Sequence, residues 1–240
     1  AHIEVPGLLF HLEGRGRSRA GTTTTPTRLR GKAGIVAQAL LLRPEREWQV
    51  MDLARDAQVS AALAHRVVTR LEREGILAIA GRGPHRVRRV ANPAALLDLW
   101  AEECVDRPIR TLAYLLAQTP QKLIRELGAN LARGRIDHAI TGPAAVSLIA
   151  PFIAAVPVVE VWVQATPAPE ELCAAAGAAP VASGHNVVFL QAKDDAPLAF
   201  REPVDGLWLA NRFRLYADLR RDPRRGREQA EHLRREVIGI

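Results

Sequence analysis

The sequence predicts an α/β fold of the α+β kind, built as two unequal units, and three observations carry that expectation. Between residues 33 and 74 apolar side chains recur at helical spacing in three successive runs. Residues 77–90 then hold two short β-prone runs around the turn Gly81-Arg82-Gly83-Pro84-His85. From Ile136 to the C-terminus, β-prone runs alternate with helical ones, the pattern of a small mixed sheet with helices on its faces.

Length and composition bound the answer. At 240 residues the chain can bury two modest cores, and 48% hydrophobic with 25% charged residues is ordinary for a soluble globular protein. No apolar run approaches the ~18–20 residues of a membrane span. The first residues, Ala1-His2-Ile3-Glu4, show no basic stretch followed by an apolar one, so neither secretion nor a membrane partner is expected and the cytoplasm is the expected location. Cys104 and Cys173 belong to no CxxC or Cys/His cluster, so no disulfide framework and no metal site is expected.

The net charge of +7 is unevenly placed. Residues 1–100 hold 16 Lys and Arg against 9 Asp and Glu, whereas residues 101–240 hold 17 of each. The whole surplus therefore lies in residues 1–100, the segment that contains the helical and hairpin part, as a nucleic-acid-reading unit joined to a charge-balanced one would show.

In chain order, residues 1–31 begin with the strand-like stretch from Ile3 to Leu12, interrupted by Pro6-Gly7. The basic run Gly14–Gly21 and the threonines 22–25 follow, without apolar periodicity. They read as an arm or linker, with Arg28, Arg30 and Lys32 as candidate arm contacts to phosphates or a minor groove; a solvated connector is the alternative.

Residues 32–100 read as a winged helix-turn-helix domain. Ala33–Arg43 is the first helix and ends before Pro44; Trp48-Gln49-Val50 is a short strand; Met51–Gln58 is the second helix. Ser60 is placed to cap the third helix, Ala61–Glu74, in which Ala64, Val67, Val68 and Leu71 form the buried stripe. The opposite face presents Ala62, Leu63, His65, Arg66, Thr69 and Arg70, with Ala61 and Ala62 small enough to allow close approach to a groove floor. Arginine reads guanine or clamps phosphate, and Thr and His hydrogen-bond to either. The competing reading is a solvated face whose arginines pair with Glu72 and Glu74. At the wing, Arg82, His85 and Arg86 occupy the tip, and Arg88 and Arg89 point to opposite sides of the strand, so at most one reaches DNA; Arg88 is taken as that one. Asn92-Pro93 opens a closing helix through Glu103.

Residues 101–136 are expected to form a helical connector, with Pro108–Leu116 ambiguous between strand and helix and Gln121–Arg133 helical. Residues 137–240 are expected to form the second domain. Its elements are a strand at Asp137–Thr141, helices at Ala144–Ala154 and Pro169–Ala176, strands at Val158–Val163 and Asn186–Gln191, and helices at Arg212–Arg220 and Arg224–Val237.

A resemblance enters at this end of the chain. The block Leu215-Tyr216-Ala217-Asp218-Leu219, followed by Asp222-Pro223-Arg224-Arg225-Gly226 and a helix containing Ala230-Glu231-His232-Leu233-Arg234, resembles the C-terminal signature of AbiEi-like proteins. These are antitoxin/transcriptional regulators of type IV toxin–antitoxin systems. Ile140-Thr141-Gly142-Pro143-Ala144-Ala145 resembles their strand–Gly–helix element. The resemblance covers residues 32–240, is specific at the C-terminus, and leaves residues 1–31 without a counterpart. It marks Tyr216, Asp218, Arg225, Gly226, Ala230 and Leu233 as signature positions. It implies a repressor of its own operon whose second domain helps counter a nucleotidyltransferase-like toxin, or a stand-alone regulator where no toxin accompanies it.

The expected partner is therefore double-stranded DNA, with an inverted-repeat operator as the expected target; the oligomeric state stays open because no heptad pattern is visible. No catalytic residue and no cofactor is expected. There is no Walker A loop or Gly-x-Ser-x-Gly elbow, Gly142-Pro143 lacks the serine of a nucleotidyltransferase, and Asp194-Asp195 are adjacent rather than alternating. A nuclease remnant around Ile3-Glu4-Val5 comes last, since Pro6 stands where a catalytic lysine is wanted.

Overall fold

The apolar stripes of the sequence become packed helices and a mixed sheet in the structure, a computed structural model that describes residues 2–5, 8–11, 27–83, 86–152 and 156–240. At the start, His2–Val5 (β1) and Leu8–His11 (β2) pair antiparallel, in register from His2↔His11 to Val5↔Leu8. The basic run 14–21 and the threonines 22–25 lie outside the described residues.

The N-terminal unit consists of Lys32–Leu42 (α1), Val50–Asp56 (α2), Ala61–Arg73 (α3), the hairpin Leu77–Ala80 (β3) with Val87–Val90 (β4), and Pro93–Glu103 (α4). Its core is the set of side chains that the 3.6-residue period aligns: Val36 and Leu40, Leu53, and Val67, Val68 and Leu71. Two local signals fix its helix starts. The Ser60 hydroxyl accepts from the Leu63 amide at 3.3 Å, and the Asn92 side chain accepts from the Ala95 amide at 2.9 Å with Pro93 at the first helical position. Trp48 is buried and exchanges two backbone hydrogen bonds with Arg88, which adds a third short partner to the hairpin.

The second unit is a seven-stranded mixed sheet. Its strands are Ile109–Tyr114 (β5), His138–Thr141 (β6), Val159–Val163 (β7), Ala179–Pro180 (β8), Val187–Gln191 (β9), Glu202–Val204 (β10) and Leu207–Leu209 (β11). They lie in the order β10-β11-β6-β7-β9-β5-β8, with β11/β6 and β7/β9 parallel and the remaining pairs antiparallel. β6 and β9 are buried along their whole length, which explains the nearly unbroken apolar run Val187–Leu190 of β9. The helices are Pro120–Arg133 (α5), Gly142–Ile149 (α6), Pro169–Ala176 (α7), Arg212–Leu219 (α8) and Gly226–Leu233 (α9), the last running on into a wider π-type turn over Arg234–Ile238. α5 packs with α7, β6 and β11; α6 and α8 pack on β6, α6 also on β7, and α9 packs on α8 and α6.

Three expectations are corrected. Residues 101–136 are not a helical connector, because Ile109–Tyr114 pairs with β9 in register from Ile109↔Gln191 to Ala113↔Val187 and so belongs to the sheet. The helix expected to reach Ala154 ends at Ile149, since Pro151 disfavours helical geometry at Ala150 and cannot donate a backbone hydrogen bond. The final helix starts at Gly226 rather than Arg224, after Arg225 adopts a left-handed conformation at φ 56°.

The two units share one continuous hydrophobic core, running from Leu29 to Leu233. α4 packs against α1 on one side and α8 on the other. Polar contacts fasten the same seam: Tyr216 donates to Asp98 at 3.0 Å, Arg234 reaches Asp98 at 3.1 Å, and the Asn211 amide bridges Gln38 of α1 to the Ala199 carbonyl.

The α8–α9 corner is a close approach of backbone to backbone. A Cβ on Gly226 would collide with the Leu219 carbonyl oxygen and with Asp222. Gly226→Ala is expected to destabilise the fold by about 2–3 kcal/mol, the cost of forcing extra volume into a packed interior; urea unfolding measures it, and unchanged stability would contradict this packing.

Candidate nucleic-acid interface

One turn of α-helix takes 3.6 residues, so each residue advances the helix by about 100°. From Arg66, four residues overshoot a full turn by about 40°, whereas seven fall about 20° short of two turns. That difference points Arg73 closer than Arg70 to the direction of Arg66. Ala64, Val67, Val68 and Leu71 are buried as the sequence predicts. The outer stripe consists of Ala62, His65, Arg66 and Arg73, all exposed, with Thr69 half-exposed between them. The Arg73 guanidinium lies back along this stripe, donating to the Thr69 carbonyl at 3.3 Å. The sequence reading missed Arg73, although its spacing from Arg66 carried the signal.

Arg70 is corrected from a reading residue to a buried one, 6% exposed. Its guanidinium donates to both carboxylate oxygens of Glu103 at 2.7 Å, to Glu74 at 2.8 Å and to the Thr27 carbonyl at 2.8 Å. The hydrogen bond to Glu103 is the main reason its pKa rises above the ordinary arginine value, with burial acting against it. Burial alone would raise the Glu103 carboxyl, but hydrogen bonds from Arg70 and the Leu29 amide, with the charge of Arg70, hold it below the usual carboxylate range. Leu63 is likewise corrected: it is half-buried and packs against the core.

The hairpin is bolted to α3 through Glu72, which accepts from Arg86 and from Arg88, each at 2.7 Å. Arg88 is 7% exposed, so it is a fastening of the hairpin and not a contact residue; Arg86 is half-buried against the same carboxylate. The strand's exposed cation is instead Arg89. Arg82 is exposed at the tip, and His85 lies outside the described residues.

The root of the arm is fixed by the same Glu103. Leu29 is fully buried and its amide donates to Glu103 at 2.7 Å, which leaves Arg28, Arg30 and Lys32 on the solvent side. Glu103 therefore ties together α3, α4 and the entering chain.

The signature positions at the C-terminus are structural in their contacts. Ala230 and Leu233 are fully buried, and Tyr216 is 1% exposed with its hydroxyl on Asp98. Asp218 accepts from the Thr141 hydroxyl at 2.7 Å, the Trp162 indole at 2.8 Å and Arg214 at 2.9 Å. Gly226 permits the tight corner, and Arg225, in its left-handed conformation, pairs with Glu228 at 2.6 Å. Cys104 and Cys173 are both buried free thiols, and burial pushes the Cys104 thiol up to about 11, far from a reactive thiolate. Among the described residues no cluster of His, Cys, Asp and Glu could hold a metal, and no helix is long and apolar enough to cross a membrane.

Comparison with protein-family models, with curated proteins and with solved structures finds no match to this chain.

Arg70→Ala strands Glu103 as a partly buried charge and is expected to cost about 3 kcal/mol. Because the Glu103 carboxyl titrates below its unfolded value, the stability it contributes is present above the ordinary carboxylate range and lost as pH falls through its folded value. Urea unfolding should therefore show a gap between wild type and variant that is wide at neutral pH and narrows in acid; a gap independent of pH would contradict the pairing.

Proposed function

We propose that this protein is a sequence-specific DNA-binding transcriptional regulator in which α3 enters the major groove. The observation that carries the reading is the outer stripe of α3: Ala62, His65, Arg66, Thr69 and Arg73 share one solvent-facing side of a helix whose other side is core. Ser60 caps that helix and is itself exposed, and Ala61 and Ala62 follow it, so the first two helical positions carry no bulky side chain to hold a groove floor away. Arg82 and Arg89 stand exposed on the hairpin that Glu72 fastens to α3, in keeping with a winged helix-turn-helix whose wing touches phosphate. The net positive charge of residues 1–100 supports attraction to a polyanion. The likeness of residues 215–236 to the AbiEi-like C-terminus extends the proposal to an autorepressor of a toxin–antitoxin operon, with a nucleotidyltransferase-like toxin as the partner countered.

A mobility-shift assay on the DNA upstream of its own gene tests the reading. Arg66→Ala and Arg73→Ala are each expected to weaken binding by about 1–3 kcal/mol if they read bases, or uniformly across sequences with a shallower salt slope if they hold phosphates. Arg89→Ala is expected to do the latter. Binding unchanged in both α3 variants would remove this helix from the interface, and affinity insensitive to salt would contradict phosphate contacts altogether.

A further inference from the structure

The second unit contains a cleft of about 730 Å³ that the DNA-binding reading does not use. Its floor is one face of the sheet. Register places Glu160 and Trp162 of β7 beside Val188 and Leu190 of β9, and Leu190 beside Arg110 of β5. On this side α6 and α8 cover β6 and β7, and the cleft lies over the β7–β9–β5 side. The segment leaving α4, with Cys104, Asp106 and Pro108, lines it, as does the turn Asp222–Arg225 with Gln229 of α9.

Charge accounting shows what the cleft is prepared to meet. Four carboxylates line it: two share the single charge of Arg214, one pairs with Arg110, and Asp222 meets an uncharged backbone amide. Asp106 and Asp218 hold the buried Arg214 at 2.6 and 2.9 Å, Glu160 pairs with Arg110 at 3.0 Å, and Asp222 accepts from the Arg224 amide at 2.8 Å. Arg221 donates to the uncharged carbonyls of Ala217 and Ala101, so its charge is not cancelled there. Arg224 and Arg225 are exposed in the turn, where α9 begins without a side-chain cap. Two cations beside a helix N-terminus are a setting for an oxyanion such as phosphate. Arg225 is shared with Glu228, which leaves Arg224 as the leading cation.

Two polar atoms point to the rest of the ligand. Gln229 is 1% exposed, lines the cleft, and its Oε1 has no hydrogen-bond partner among the described residues. His185 lines the same cleft and its Nδ1 is likewise without a partner among them. A buried acceptor left unmatched in a protein interior calls for a donor, and here a ligand can bring it. Between these atoms the floor is apolar, with Val158, Val188 and Leu190 flanked by Pro108 and Pro157. The volume is that of ordinary small-molecule sites.

We propose that this cleft binds a phosphorylated nucleoside, with the base against Val188 and Leu190, a base N–H donated to Gln229, and the phosphate at Arg224 and Arg225. An apolar planar group, N–H donors and an oxyanion on one small molecule match the three surfaces in turn. A carboxylic acid or a bare phosphate satisfies only one of them. The proposal stands apart from the DNA-binding reading and does not need it.

Titration calorimetry of the full chain with AMP, GMP, CMP and UMP tests the site, with inorganic phosphate and the four nucleosides as separate arms. At least one mononucleotide is expected to bind at least ten-fold more tightly than its nucleoside and than phosphate. Arg224→Ala, a change at an exposed position, is expected to weaken it ten-fold or more, and Gln229→Leu to alter the preference among the four bases. Thermal melts identify any variant that does not fold, and the Arg224→Ala result decides the matter if Gln229→Leu fails. No binding of any mononucleotide at millimolar concentration overturns the proposal. So does phosphate binding as tightly as the nucleotides, binding that requires an oligonucleotide, or affinity unchanged in Arg224→Ala.

Discussion

A guanidinium removed from water at Arg214 is the constraint around which the second unit is arranged. Taking that charge out of water costs several kcal/mol, and only close oxyanions offset it. Asp106 and Asp218 supply them, and the Trp162 ring lies 4.3 Å from the guanidinium carbon. Burial pulls the arginine's pKa down, and the charge of Asp218, with further help from Asp106, more than restores it, so the group stays charged. Each partner is thereby committed. Asp218 also receives the Thr141 hydroxyl and the Trp162 indole, so one carboxylate fixes α8 over β6 and β7.

Asp106 has a second consequence, because it belongs to the short segment between α4 and β5. That segment forms a wall of the cleft while α4, a few residues upstream, carries Glu103 and through it Arg70 and the root of the arm. The chain from α3 to the cleft is thus a run of ion pairs and packed side chains without a flexible linker. The Tyr216–Asp98–Arg234 contacts and the Asn211 bridge reinforce the same seam. What looks from sequence like a reading unit and a separate domain is one cored body. Contacts of this kind are the physical means by which occupancy of one place can bias another.

The same seam gives the C-terminal signature a physical meaning. Tyr216, Ala230 and Leu233 are core, Asp218 is the hub of the Arg214 network, and Gly226 is the space that lets α9 fold back on α8. Arg225 alone among the six is exposed, at the mouth of the cleft. A run of sequence that resembles a family's pattern is here a set of solutions to packing, charge burial and chain reversal.

What the sequence by itself determined was everything with a local cause. The stripe Ala64, Val67, Val68 and Leu71, the caps at Ser60 and Asn92, the hairpin across Gly81–Gly83 and the buried runs of β7 and β9 follow from periodicity, capping chemistry and β-propensity within a few residues. The mixed α/β class follows from their order. Only the tertiary structure decided which arginines remain available. Arg66 and Arg70 look alike in spacing and chemistry, but Arg70 meets Glu103 from 33 residues away and is buried by it, while Arg73 takes the place on the outer stripe. Arg88 is claimed by Glu72, and Ile109–Tyr114 becomes a strand because β9 lies beside it. The cleft itself needs Asp106 and Arg214, 108 residues apart, on facing sides of one ion pair. Local spacing sets which way a side chain leaves its helix or strand; whether an opposite charge is waiting there depends on how distant segments pack, and that decides between a buried fastening and an exposed contact.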